Sequence, residues 1–337
     1  MYYIAFEIIA AKRIYYSMEI INYNETTPAM VNSIDSIHAA FIGSLDKKQA
    51  TRDQYSRVLR LFFGWVVQCG LDIRNLSSAD LLKYKQSIYA AGKKGTTAAN
   101  YINVLRQFYG WAEAEKYFPN IAKNIHADAI RREFRKEPLT LEQTVQLLEH
   151  IEQHCSARDF AMVNLLLHTG LRCVEIARAD VGDITFKGGK PVLMIQGKGH
   201  VEKDDFVILE EGSLRPLQQY LSTRSNAKDF EPLFACESRN NAAGRLSTRA
   251  ISGIAKTTLR SIGLDAKVFT AHSLRHTAAV NTLRAGGMLE DVQFMLRHSD
   301  PATTQIYTRF LDKERRLQHN AEGMLSKLYN TRRAACQ

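Results

Sequence analysis

The chain is poor in cysteine and has no apolar run long enough to cross a membrane. Its five cysteines, at 69, 155, 173, 236 and 336, are odd in number and widely spaced, with no Cys-x-x-Cys pair. That pattern excludes a disulfide framework and a thiolate metal or redox motif, and it reads as reduced, cytosolic thiols. The apolar run Ile8-Ile9-Ala10-Ala11 is broken by Glu7, Lys12 and Arg13, well short of a membrane span. Positive charges follow that run instead of preceding it, the reverse of a secretory leader. There is no Gly-x-x-x-x-Gly-Lys-Ser/Thr loop and no carboxylate cluster, so nothing in the sequence asks for a nucleotide, a metal or another cofactor. Internal repeats and low-complexity tracts are also absent, which excludes solenoid architectures.

What is present is size and positive charge. A chain of 337 residues suggests two domains, each able to bury a core. Lys and Arg outnumber Asp and Glu by 45 to 35, a formal net charge of +10, as a nucleic-acid partner would favour.

From about Ser33 to Lys123 the pattern is helical. Tyr55, Val58, Leu59, Phe62 and Phe63 follow a 3.6-residue period. Ser77 or Ser78 caps a helix starting near Ala79, and Thr96-Thr97 opens another through Tyr101, Leu105, Phe108 and Trp111, after a turn at Gly92-Lys-Lys-Gly95. The charged segment Arg131-Arg-Glu-Phe-Arg-Lys-Glu-Pro138 is either an interdomain linker or a solvated helix end. Helices return from about Leu141 to Gln153 and Ala157 to His168. Pro191–Gln196 and Lys203–Leu209 then read as a strand pair around the turn Gly197-Lys-Gly199. From Ser213 onward the chain is helical, with breaks near Gly244, Gly263 and Gly286-Gly287.

Four separated segments hold the residues suited to chemistry: His168-Thr-Gly-Leu-Arg-Cys-Val-Glu175, Gly197-Lys198-Gly199, His272-Ser-Leu-Arg275-His276, and Leu296-Arg-His298 through Ile306-Tyr307-Thr-Arg309. Each alone has a bland reading. Arg172 is then a surface arginine, Lys198 a turn lysine, and Tyr307 a ring packed in the core.

Taken together, and in this order, they resemble the tyrosine recombinases and phage-type integrases, from about residue 35 onward. The resemblance assigns a catalytic set of Arg172, Lys198, His272, Arg275, His298 and Tyr307, with Tyr307 the nucleophile and Glu175 supporting Arg172. One position departs from the pattern: the family usually has glycine just before the second histidine, and here Arg297 stands there, either tolerated at the surface or adding a phosphate contact.

The chemistry explains these residue types. A phosphodiester attacked by a phenol gathers negative charge on its non-bridging oxygens, which arginine forks can match without losing their own charge. The phenol, with an ordinary pKa of about 10, needs a positive field and a proton acceptor, for which His272 is the candidate. Lys198 on a glycine-flanked turn suits the acid that protonates the leaving 5′-oxygen, and His298 suits a hydrogen bond to the phosphate.

The expected fold class is mainly α with a small β-sheet: a helical SAM-like core-binding domain, then a mixed α/β catalytic domain, together clamping DNA as a C shape. Its expected divisions are an N-terminal extension (1–32), the helical DNA-binding domain (33–125), a linker (126–138), the catalytic domain (139–312) and a C-terminal tail (313–337). Leu317, Met324, Leu325 and Leu328 in the tail either close the chain's own core or, as the resemblance implies, dock on a neighbouring protomer. Lys93, Lys94, Arg106, Arg131 and Arg132 are candidate DNA-backbone contacts. The implied partners are double-stranded DNA with inverted core sites, three further copies in a tetramer on that DNA, and accessory bending or directionality factors. The implied activity is integration or excision of a mobile element, or Xer-like resolution of DNA dimers. A type IB topoisomerase-like relaxing enzyme and a DNA-binding regulator without catalysis are the alternatives.

Overall fold

The computed structural model of the chain describes residues 28–127, 136–197, 202–224, 226–237, 243–318 and 320–335. The chain divides between residues 131 and 132 into two units, each with its own interior.

The first unit is helical throughout its described part: α1 (Pro28–Ser44), α2 (Gln49–Gln68), α3 (Ser78–Ala90) and α4 (Gly95–Ala114). In α2, Val58, Leu59, Phe62, Phe63 and Val66 recur at helical spacing and are buried. Their counterparts in α4 are Ala98, Tyr101, Ile102, Leu105, Phe108, Tyr109 and Ala112. Of the two serines offered as a cap for α3, Ser77 serves. Its hydroxyl accepts from the Asp80 amide while the Asp80 carboxylate accepts from the Ser77 amide, a reciprocal box that satisfies two end donors. Ser78 instead donates to the Ile121 carbonyl at 2.8 Å.

The second unit begins with α5 (Leu141–His154), α6 (Ala157–Thr169) and the short α7 (Cys173–Arg178). A three-stranded antiparallel sheet follows: β1 (Ile184–Lys187), β2 (Lys190–Ile195) and β3 (Asp205–Ile208), in that spatial order. The expected hairpin is thus β2–β3, with Leu193 opposite Val207. Strand β1 was not anticipated; its four residues are mostly exposed and carry no clear alternation. Then come α8 (Glu211–Ser222), α9 (Thr248–Ser261), α10 (Ala271–Arg284), α11 (Leu289–Leu296), α12 (Pro301–Gln318) and α13 (Ala321–Ala335). Helix α6 is central, packing on both α8 and α10, and its Met162, Leu165 and Leu166 have no exposed surface. The segment leading into the unit is already docked: the Leu139 amide donates to the buried Thr277 hydroxyl at 2.8 Å. In the tail, Leu317, Met324, Leu325 and Leu328 are exposed, so they do not close the chain's own core.

No helix of the described residues is long and apolar enough to cross a membrane.

Candidate active site

Two turns and one helix of the second unit meet around one cavity. The first follows α6, which ends at Gly170 in a left-handed conformation (φ +59°). A Cβ there would lie 2.6 Å from Leu296 Cδ2, so the turn needs glycine for both its backbone and the close approach of α11. The chain then enters α7 with Arg172 as its N-cap residue. Glu175, three residues on, reaches back: one carboxylate oxygen accepts the Arg172 amide at 2.7 Å and the other accepts Arg172 Nη1 at 2.8 Å. The Glu175 side chain is fully buried. Burial alone would raise its pKa, but Arg297 and then the Arg172 amide and guanidinium outweigh that and hold the carboxyl below its ordinary range.

Helix α10 carries His272, Arg275 and His276. Arg275 is only 1% exposed; its Nη1 donates to the Gly170 carbonyl and its Nη2 to the Leu296 carbonyl at 2.6 Å. It therefore ties the two turns flanking the cavity. Burial, followed by Arg172, pushes the guanidinium down to about 9, so it stays charged at neutral pH. His272 is pushed down by burial and then by Arg275 and Arg172.

The second turn joins α11 to α12. His298 Nδ1 is hydrogen-bonded to the Thr304 hydroxyl at 3.0 Å, and its ring lies parallel to that of Tyr307, 6.4 Å between centroids. Burial, then Arg275, Arg172 and Arg297, push His298 down to about 4. Tyr307 is 1% exposed and packs among Ala279, Val280, Val292 and Leu296. Burial raises its phenol to about 12, against the opposing pull of Arg275 and Arg172.

Arg172, His272, Arg275, Arg297, His298 and Tyr307 all line a cavity of about 290 Å³. Two expected site residues were more than neighbours in sequence: His272 and Arg275 do share a wall of this cavity. Lys198 lies outside the described residues. The described residues on either side of it are held, with Arg178 donating to the Gly197 carbonyl at 3.3 Å and Lys203 bridging Asp180 (2.6 Å) and Asp183 (2.5 Å).

One residue of the site was missed. His276 Nδ1 is hydrogen-bonded to the Tyr307 hydroxyl at 3.0 Å, and burial, then His272, Arg275 and His298, push it down to about 3. Its spacing from His272 was the available signal, since residues i and i+4 stack along a helix; the two rings are 4.4 Å apart. For Arg297 one of the two alternatives, tolerance at the surface, falls away: its side chain is 9% exposed and its Nη2 donates to Glu175 at 2.8 Å.

Among the described residues no group of His, Cys, Asp and Glu is placed to hold a metal ion. In the first unit, Lys93 and Lys94 are exposed in the turn before α4 and not on a helix face; Arg106 is exposed on α4 itself. Arg106 lines a polar depression with Asn103, Gln107, Asn120 and Lys123. Arg131 and Arg132 lie outside the described residues.

Comparison with known proteins bears on this arrangement. Residues 137–314 match the phage integrase family, and residues 44–116 match the phage integrase N-terminal SAM-like domain. The chain belongs to the phage integrase family, the tyrosine recombinases. It is 30% identical over 268 residues to tyrosine recombinase XerC of Leptospira interrogans, covering 77% of this chain and 82% of that one. It is 33% identical over 181 residues to XerC of Caldanaerobacter subterraneus subsp. tengcongensis, covering 53% of this chain. That second match spans 48% of the relative's length, and one to XerC of Actinobacillus pleuropneumoniae spans 61%. Among solved structures, the XerH site-specific recombinase bound to palindromic difH substrate has the same fold, with a TM-score of 0.68 at 20% identity over 92% of this chain and 94% of that one. A lambda integrase dimer bound to a core site gives 0.63 at 16% identity, over 82% and 94%. The chain is mainly helical with a small sheet, a SAM-like domain preceding the recombinase domain, as the resemblance implied.

Proposed function

We propose that the chain is a site-specific recombinase that cuts and rejoins double-stranded DNA through a 3′-phosphotyrosyl bond to Tyr307. The observation that carries this reading is the convergence of Arg172, His272, Arg275, His298 and Tyr307 on one cavity, from segments up to 135 residues apart in the chain (307 less 172).

In the proposed reaction the Tyr307 oxygen bonds to the scissile phosphorus and the bond from phosphorus to the 5′-oxygen breaks. The phenol proton passes to the paired histidines His272 and His276, the second of which is hydrogen-bonded to the phenol, and the leaving oxygen takes one from Lys198. Arg172 and Arg275 hold the non-bridging oxygens as their charge grows, and His298 donates to one of them. The new ester keeps the energy of the old one, so religation by a second 5′-hydroxyl reverses each step and needs neither ATP nor a metal. At rest the phenol is nearly neutral at pH 7, so bound DNA must bring it under the two guanidiniums before it can attack.

The wider roles belong to the same proposal. The partner is DNA with inverted core sites, engaged by Lys93, Lys94, Arg106, Arg131 and Arg132. The working form is a tetramer in which the exposed apolar face of the tail docks on the next protomer, joined by accessory bending or directionality factors. The outcome is movement of a mobile element or resolution of DNA dimers, in the cytoplasm.

Nicked suicide DNA carrying sites from the flanks of the gene tests this, with wild type and Tyr307→Phe compared on a denaturing gel. A covalent band in wild type alone is expected. Binding without any band, or the same band in both proteins, overturns the reading; so does relaxation of supercoiled DNA that needs no site, which marks a topoisomerase.

A further inference from the structure

Arg297 occupies a position whose backbone suits glycine. It is the C-cap of α11, with φ +54° and ψ +52°, a left-handed conformation that strains a residue bearing a Cβ. Its side chain is buried, and its Nε has no hydrogen-bond partner, a second cost that a glycine would avoid. Its other two nitrogens are committed, Nη1 to the Met295 carbonyl at 2.6 Å and Nη2 to Glu175 at 2.8 Å. Strain and an unmet donor in one residue on the wall of a reaction cavity ask for a compensating role.

The charges around that cavity supply one. Glu175 is buried and ionised, and Arg172 is its other guanidinium partner. With glycine at 297, the carboxylate would cancel one of the two remaining arginines, leaving Arg172, Arg275 and Glu175 at a net charge of one positive. With Arg297 present the sum is two positive. The phosphodiester brings one negative charge and gains a second as the tyrosine oxygen adds to phosphorus, so the second positive charge matches what develops only in the transition state.

We propose that Arg297 is a positioning residue that neutralises Glu175, so that the charge of the Arg172 guanidinium, still held by Glu175 through Nη1, is not cancelled and acts with that of Arg275 on the scissile phosphate. This rests on the recombinase reading above. Through Met295 the same side chain also braces the turn that carries His298 into the cavity.

The test compares wild type, Arg297→Gly, Arg297→Lys and Arg297→Met in single-turnover cleavage of suicide DNA at saturating protein. Each protein is given a normal scissile phosphate and, separately, a methylphosphonate, which lacks one non-bridging charge. On phosphate, Arg297→Gly should cleave about 10- to 100-fold slower, less than the loss of a donor that itself touches the oxyanion, with DNA affinity unchanged. Arg297→Lys should recover most of the rate and Arg297→Met should not. On the methylphosphonate the gap between wild type and Arg297→Gly should close, because the charge it answers is gone. An equal gap on both substrates makes the residue merely structural and overturns the inference, as does a wild-type rate for Arg297→Gly. Should the glycine variant fail to fold, the Lys and Met variants decide: Lys fast and Met slow supports the inference, and equal rates overturn it. A wild-type protein that forms no adduct on the phosphate substrate fails the recombinase reading itself.

Discussion

The unit before residue 131 and the unit after it bury different kinds of side chain. The first is filled by rings: Phe62 meets Tyr84 at 5.0 Å between centroids, Phe41 meets Phe108 at 5.4 Å, and Phe108 meets Tyr109 at 5.1 Å. Among the described residues no charged side chain is buried there. The second buries Arg158, Glu175, Arg275 and His276. An interior of packed rings does one thing, which is to hold helices in place. An interior with paired charges is a weak source of stability, because desolvation offsets the attraction; Arg158 pairs with Asp159 and Glu237 away from the cavity, whereas Glu175 and Arg275 are better accounted for by what they do beside it.

The strongest way to break this comparison is to remove the buried charge and keep its volume. Arg275→Met should cut single-turnover cleavage by about 10³- to 10⁵-fold, the range for an arginine that stabilises a phosphoryl transition state. The buried Gly170 and Leu296 carbonyls lose their donor, at a cost of about 1–3 kcal/mol each, so the rate is read on protein shown to be folded. If the variant unfolds while any folded fraction still cleaves, Arg275 is a structural tie between the Gly170 and Leu296 carbonyls and the contrast fails. The opposite arm is Phe62→Ala in the first unit. It should destabilise that unit by about 3–5 kcal/mol, seen as faster amide exchange across residues 49–114, with residues 157–169 of the second unit unaffected.

The same contrast explains what could be read from residue order. The α2 and α4 helices were legible because each needs only its own apolar stripe, and the Ser77 cap because a helix end needs a local acceptor. Strand β1 was not, because four mostly exposed residues carry no period. At the site, the identities of Arg172, His272, Arg275, His298 and Tyr307 could be read from a resemblance, but their contacts could not. For Tyr307 the two readings set against each other, core ring and nucleophile, turn out to be compatible in geometry: the ring packs in the α10–α12 cluster while lining the cavity. The i, i+4 spacing of His272 and His276 put the two rings on one face, but the contact of His276 with Tyr307 and that of Arg297 with Glu175 depend on which segments meet, a tertiary fact that no local pattern encodes.

Acid should separate the units by a smaller amount. His276 sits at about 3 in the folded protein, against an ordinary 6.5. Below pH 6.5 the unfolded chain takes up a proton that the folded chain refuses until about pH 3. This contribution to stability is therefore complete above 6.5 and is lost as the pH falls through that window. By pH 5 the loss at this one buried ring is about 2 kcal/mol, and His272 and His298 act in the same direction. In the first unit only the half-buried His38 among the described histidines has a resolved downward shift, from burial and then Arg60. Amide exchange at pH 7 and pH 5 should show the second unit weakening more, and His276→Gln should reduce the difference. Equal weakening of both units would remove the distinction.

The smallest expected effect tests the comparison from the side of the first unit, where stability and chemistry should be separable. Ser77 closes the start of α3 by accepting from the Asp80 amide at 3.3 Å, and its own hydroxyl donates to the Asp80 carboxylate at 2.6 Å. That carboxylate is drawn down to about 2, chiefly by the Ser77 hydroxyl and then by Lys83. Ser77→Ala should cost about 1 kcal/mol, the usual value of such a cap, and the loss should appear as fraying of residues 78–90. Single-turnover cleavage at saturating protein should stay at the wild-type rate, because nothing in the cap bears on the charges around Glu175 and Arg275. A slower chemical step in this variant would mean that the order of α3 is felt at the phosphate, and the ring-packed unit would then be part of the catalytic apparatus and not only a frame for its own helices.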